Sequence, residues 1–261
     1  MDYASLCATS PWNVAAPSFV RPGTVADNCR FLAGRVREVG VVLFETAGSL
    51  AYTETDLPPD LAALPLTYHV HLPLDLPWRS QADGAGAAWD VVRQLVAKTA
   101  YLAPNAFVLH PPPADMGPDA ATALERFASL WRDAGLDPAR LLVENTEEND
   151  LAALAAVLDR SGCGVCLDIG HCMAYGQQAL LACGGPLGWD RVGMLHLCGV
   201  DARGRHMALD HPDSVVPLAA VRRMLEAAPH TARVMLEVFS WDAVAASASC
   251  LAMLADNSEK A

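Results

Sequence analysis

Short apolar, β-prone runs alternate with segments of helical periodicity along the whole chain, and this alternation restricts the fold more than any other feature. The runs fall near 4–9, 39–45, 66–72, 106–110, 140–144, 164–168, 192–197 and 233–238. Helical periodicity fills 24–38, 84–102, 117–134, 147–160, 174–183, 214–227 and 241–255, while the link 51–65 carries little helix signal beyond PPDLAALP. Thr24, Pro118 and Ser214 mark helix starts, and Gly184 marks a helix end. Strands separated by helices pair in parallel through right-handed crossovers. Eight such units predict a closed (β/α)8 TIM barrel rather than an open doubly wound sheet. No glycine-rich dinucleotide turn follows the first strands, which also argues against the open sheet. With no linker and no shift of composition, residues 1–261 read as a single α/β barrel domain.

In such a barrel the C-terminal ends of all strands converge on one face, where active sites are built. Seven of the eight histidines sit at, or just beyond, the ends of the runs. His69 and His71 close LTYHVHLP, His110 closes NAFVLH, His171 follows GVCLDIG, and His196 lies in VGMLHL, with His206 and His211 in the loop beyond. Two further runs end in carboxylates, RLLVEN at Glu144 and ARVMLEV at Glu237. Any one strand histidine, taken alone, reads as a satisfied core or rim group. Four ionisable groups on one face are costly to bury unpaired, however. Glu144, Asp168, His196 and Glu237 together suit a divalent ion such as zinc or manganese. His71 and His110 would hold a second ion with Glu144 bridging, and His171, Asp210 and His211 a third. His69 shares the direction of His71 but lies deeper, and is read with His206 as a neighbour of the substrate. His211 is preferred to His206 as a ligand because Asp210 adjoins it. His230 precedes the last strand and belongs to the opposite end.

Hydrophobic residues make up 52% of the chain and charged residues 18%, a globular balance. No run approaches the roughly 20 apolar residues of a membrane span, and no basic start with an apolar core suggests a secretory signal, so a cytoplasmic location is expected. The net charge is −12 and lysine occurs only at Lys98 and Lys260, which argues against a general nucleic-acid binder. The eight cysteines are expected as reduced thiols. The Cys163/Cys166 pair lies along a strand rather than opening a helix, so it is not read as a redox site. Cys7, Cys29, Cys172, Cys183, Cys198 and Cys250 read as small core residues. Trp12, Trp78 and Trp241 each follow a run closely and would wall the mouth for a planar ligand, or simply cover loops. Arg203 and Arg205, in GVDARGRH, form a phosphate clamp or a solvated loop.

The ordered set HVHLP, LHPPP, VENT, LDIGH, HLCG, the Asp210–His211 pair and LEVF resembles the xylose isomerase-like barrels, which include endonuclease IV and sugar isomerases and epimerases. The resemblance runs from the third strand to the last. By resemblance to endonuclease IV, His71, His110, Glu144, Asp168, His171, His196, His211 and Glu237 take metal-ligand positions. The chain departs where that family has Asp-any-His, since here Asp210 and His211 are adjacent. TYHVHLPLDLPW with LLVENT and CLDIGH is most similar to the cobamide-remodelling phosphodiesterases, CbiR. That resemblance implies cleavage of the phosphoester linkage in the nucleotide loop of B12-type corrinoids.

Three functional expectations follow. The first is metal-dependent hydrolysis of a phosphodiester in a small-molecule corrinoid, with one to three divalent ions, Glu144 and Glu237 catalytic, and His69, Trp78, Arg203, Arg205 and His206 around the substrate. The second is a sugar or sugar-phosphate isomerase or epimerase. It needs only Glu144, Asp168, His196 and Glu237 around one ion, with the two glutamates moving protons. The third is a metal- or corrinoid-binding barrel without turnover.

Overall fold

The computed structural model describes residues 11–80 and 82–256. Eight parallel strands close a barrel in sequence order: β1 (Asn13–Pro17), β2 (Glu38–Val42), β3 (Thr67–His71), β4 (Phe107–Leu109), β5 (Leu141–Glu144), β6 (Gly164–Asp168), β7 (Val192–Leu197) and β8 (Arg233–Leu236). The sequence places seven of these within a few residues. The run predicted at 4–9 lies outside the described residues, and the first barrel strand is NVAAP instead, a segment poor in β-branched and aromatic residues. Trp12 therefore stands before β1, at the far end of the barrel from the site, and does not wall the mouth.

The helices are α1 (Val25–Leu32), α2 (Thr46–Ala51), α3 (Gly84–Thr99), α4 (Pro118–Asp133), α5 (Ala155–Ser161), α6 (Ile169–Ala174), α7 (Leu180–Cys183), α8 (Leu218–Ala227) and α9 (Trp241–Asp256). Thr24 starts α1 through a capping box with Asp27. Pro118 sits in the first turn of α4, where a missing amide proton costs nothing, and Gly184 ends α7 in the left-handed conformation. Ser214 does not start a helix. Its hydroxyl accepts from the Val216 amide in a turn, and α8 begins after Pro217. Among the described residues, no helix is long and apolar enough to cross a membrane.

Two apolar cores hold the layers together. Between strands and helices, α4 buries Leu124, Phe127 and Trp131, spaced to share one helix face. Inside the barrel, Ala15, Val42, Val108, Leu142, Cys166, Met194 and Met235 pack together beneath Phe19 and Phe44. Cys183 is exposed rather than core, whereas Cys29, Cys163, Cys166, Cys172, Cys198 and Cys250 are buried free thiols, and burial pushes Cys166 up to about 12.

A polar plug closes the end of the barrel away from the site. Glu38, fully buried at the start of β2, accepts from Asn13 Nδ2 at 2.9 Å, Asn105 Nδ2 at 3.0 Å and Thr67 Oγ1 at 3.2 Å. His69 Nδ1 is 2.7 Å from its carboxylate and Arg233 Nε 3.4 Å. Five residues from four other segments thus meet on one carboxylate. Gly40 makes room for this, because a Cβ there would stand 2.6 Å from His69 Nε2. Removing one member leaves the others buried and unpaired, so Glu38→Ala is expected to cost about 3 kcal/mol in denaturant unfolding. A loss below about 0.5 kcal/mol, the range of an ordinary surface change, would show that the plug does not hold the strands.

Candidate metal centre and active site

The parallel topology brings the ends of β3 to β8 to one face, and with them the ionisable residues. Glu144, at the last position of β5, has no solvent exposure and sits at the centre. Its Oε2 lies 3.1 Å from His71 Nε2 and 3.2 Å from His110 Nε2. Its Oε1 lies 2.9 Å from His196 Nδ1 and 3.9 Å from His171 Nδ1. His196 Nδ1 is also 3.2 Å from Glu237 Oε2 and 3.9 Å from Asp168 Oδ2. One imidazole proton cannot satisfy three carboxylates. Accordingly Asp168 Oδ2 and Glu237 Oε2 are buried without a hydrogen-bond partner.

Local hydrogen bonds aim these side chains. His71 Nδ1 donates to the Leu72 carbonyl at 3.0 Å, which turns Nε2 toward Glu144, where its N–H donates when the ring is charged. His171 Nδ1 donates to the Asn145 carbonyl at 2.8 Å, freeing its Nε2. Asp168 caps α6 through the His171 amide at 2.6 Å. Asn145 joins β5 to β6, accepting from the Asp168 amide at 2.7 Å and donating to Gln177 Oε1 at 3.0 Å. Sequence reasoning passed over Asn145 and Gln177; only the place of Asn145 beside Glu144 in VENT signalled the first.

Burial and mutual charge set the protonation. Burial pushes the Glu144 carboxyl up, but His196, His110 and His71 outweigh it and hold the group well below the usual range. Burial, then the neighbouring Glu237 and Glu144, push Asp168 up to about 6 despite His171. Burial opposes the charged form of His171, yet Asp168, Glu144 and Glu237 push it up to about 9. His196 is likewise raised well above its ordinary value against the effect of burial, with Cys166, Glu237 and Glu144 as the causes.

These residues fit a divalent ion. Glu144, Asp168 and Glu237 each bring a carboxylate oxygen within 3.9 Å of His196 Nδ1, Asp168 and Glu237 each keep an orphaned oxygen, and the near partners are histidines rather than arginine or lysine. Two overlapping groups have the spacing for an ion, His71, Glu144, His196 and Glu237 in one and Glu144, Asp168 and His171 in the other. His110 approaches the same Glu144 oxygen as His71.

Four expectations need correction. His69 does not face substrate: it is fully buried and bound to Glu38 in the plug below the site. Asp210 and His211 do not join the cluster. Both are exposed; the Asp210 charge acts on Cys250 of α9, and His211 Nδ1 accepts from the Asp213 amide at 3.2 Å. His206 comes to the site instead, its Nδ1 donating to the Glu237 carbonyl at 2.9 Å and its ring 6.0 Å from that of His171. The arginine clamp is not assembled, because Arg205 Nε is bound to Asp201 Oδ2 at 2.7 Å and Arg203 is exposed in the hairpin loop between Gly199–Val200 and His206–Met207. Trp241 packs edge-on against Phe31, outside the mouth. Trp78 is buried on Phe127 and lines a cleft of about 720 Å³ that opens beside His110 and His171. Pro111, Tyr175, Asp75, Glu147 and Glu148 line the same cleft.

The family model described as xylose isomerase-like TIM barrel matches residues 53–254, and the chain belongs to that family. A D-tagatose 3-epimerase-like protein superposes with a TM-score of 0.74 at 15% identity, covering 95% of this chain and 100% of that one. Endonuclease IV from Thermus thermophilus superposes with a TM-score of 0.67 at 18% identity, over 95% and 100% of the two chains. A second Thermus thermophilus protein, soaked with zinc chloride, gives 0.62 at 22% identity, over 94% and 98%. These likenesses establish the fold. No curated protein sequence matches the chain.

With His196 raised well above its ordinary value, the site holds protons at neutral pH that an entering ion must displace. Affinity for zinc or manganese is therefore expected to rise as pH increases from 6 toward 9, with proton release in calorimetric titration. An affinity independent of pH would contradict this protonation.

Proposed function

We propose that the protein is a metal-dependent hydrolase of a phosphodiester in a small ligand, with the nucleotide-loop linkage of cobamides as its substrate. One observation carries this reading. Glu144 turns one oxygen to His71 and His110 and the other to His196, which supports a carboxylate that would serve two ions. His71, His110 and Glu144 would hold one ion, and Glu144, Asp168, His196 and Glu237 the other. Bound divalent ions lower the pKa of water and neutralise charge on a phosphoryl group.

The chain's own residues supply the remaining chemistry. Water oxygen bonds to phosphorus and the bond from phosphorus to the leaving oxygen breaks. Glu237, held as a carboxylate chiefly by His196, takes the proton from water. His171, whose Nδ1 is fixed by the Asn145 carbonyl, turns a protonated Nε2 to the cleft and donates to the leaving oxygen. With Arg205 bound to Asp201, the histidines rather than an arginine clamp meet the developing charge. The acidic rim of Asp75, Glu147 and Glu148, beside an Arg79 already paired with Asp115, suits a neutral ligand body better than a polyanion such as DNA.

The second reading, a single-ion sugar or sugar-phosphate epimerase, is favoured by the completeness of the Glu144, Asp168, His196 and Glu237 set on its own. The two readings separate at His71 and His110. Metal-loaded protein incubated with adenosylcobalamin is expected to release its nucleotide fragment, and His110→Ala to slow this at least about tenfold. No fragment with zinc, manganese or other divalent ions, together with C3 exchange of a ketose that survives His110→Ala, would replace the hydrolase by the epimerase.

A further inference from the structure

Beside the candidate metal cluster, at the ends of β1, β2 and β8, lies a run of aromatic rings that the proposed chemistry does not use. Phe19 follows β1, Phe44 follows β2, and Phe239 stands two residues beyond Glu237. Their centroids are 5.0 Å apart for Phe19 and Phe44, and 5.6 Å for Phe44 and Phe239, with the ring planes inclined at 59° and 54°. His206 continues the row, stacked at 5.9 Å and 17° on Phe239 while its Nδ1 is held by the Glu237 carbonyl. The rings are supported from below, because Phe19 and Phe44 pack on the apolar interior of the barrel.

The outer end of this row is open to solvent. Only four large apolar side chains are exposed among the described residues, and two of them border Phe44: Phe239 at 42% and Leu74 at 49%, the latter with its amide bonded to the Phe44 carbonyl at 3.1 Å. Aromatic rings that are rigidly backed, and uncovered within two residues of Glu237, form a surface for stacking rather than part of the core. No phenylalanine in the row carries a charge to attract a phosphate or a polar atom for sugar hydroxyls. His206 supplies the continuity with the reaction: one edge is tied to Glu237, one face to Phe239.

We propose that Phe239, backed by His206 and flanked by Phe44, forms a platform that stacks an uncharged planar ring of the substrate whose reacting bond is held at Glu144 and Glu237. The platform gives the substrate two differently recognised ends, the ring on the aromatic row and the bulkier body in the cleft beside His110. This rests on the hydrolase reading only for where the reacting bond lies.

The zinc-loaded full chain, titrated with adenosine 5′-monophosphate, ribose 5-phosphate and adenosine, tests the ring subsite directly. Adenosine 5′-monophosphate is expected to bind about tenfold more tightly than ribose 5-phosphate, and adenosine to bind measurably without any phosphate. Phe239→Ala should remove that gain for both adenine ligands and leave ribose 5-phosphate unchanged, while Phe239→Tyr restores it. Upfield ring-current shifts of the adenine protons should appear with the wild type and vanish with Phe239→Ala. Equal binding of the two phosphates, no binding of adenosine, or equal weakening of all three ligands by Phe239→Ala would overturn the platform. Adenosine binding that depends on Phe239, with ribose 5-phosphate unbound, would leave the platform standing and count against the phosphoryl site.

Discussion

A carboxylate without solvent exposure cannot stay charged at the mouth of a barrel unless something answers its charge. Glu144 is in that position, and the structure answers with imidazoles from β3, from the end of β4, from β7 and from the segment after β6. The same donors are then over-subscribed, since His196 faces Glu237 and Asp168 as well. Neutralising the set with protons alone leaves two buried carboxylate oxygens without partners. A divalent cation would resolve both problems at once, held by strand ends that cannot move independently of the barrel.

The opposite end of the barrel solves a similar problem without an ion. Glu38 is as deeply buried as Glu144, yet its oxygens are matched by Asn13, Asn105, Thr67, His69 and Arg233. Two buried glutamates in one barrel therefore have different roles, and what separates them is the charge around them: Arg233 stands beside Glu38, whereas Asp168 and Glu237 crowd the imidazole that faces Glu144. A single carboxylate beside a fixed cation reads as structure, and three carboxylates competing for the same imidazoles read as a site.

Much of this was legible in the chain. Alternating strand and helix signals dictate a barrel, a barrel gathers strand C-termini, and so Glu144, Asp168, His196 and Glu237 had to meet. Depth within the barrel was less visible. A period of two gives His69 and His71 the same direction but not the same layer, and Glu38, which captures His69, lies 31 residues away in sequence. Loop conformation was not encoded by adjacency either. Asp210 supports no ligand role for His211, because the turn that holds them points outward, while the short hairpin of Gly199–Val200 with His206–Met207 delivers His206 to Glu237. Tryptophans near strand ends drew attention from Phe44 and Phe239, whose pairing depends on the closure of β8 onto β1. The NVAAP strand carries almost no intrinsic β signal and exists because β2 and β8 pair with it on either side.

The central claim is that Glu144 is shared between two ion positions. Anomalous diffraction at the zinc edge, from crystals of the zinc-loaded protein, tests it most directly. The expected map holds two peaks, one among Glu144, Asp168, His196 and Glu237 and one between Glu144, His71 and His110. A single peak in the first position, with His71 and His110 still turned to Glu144 as in the metal-free geometry, would contradict the claim and leave a one-ion site.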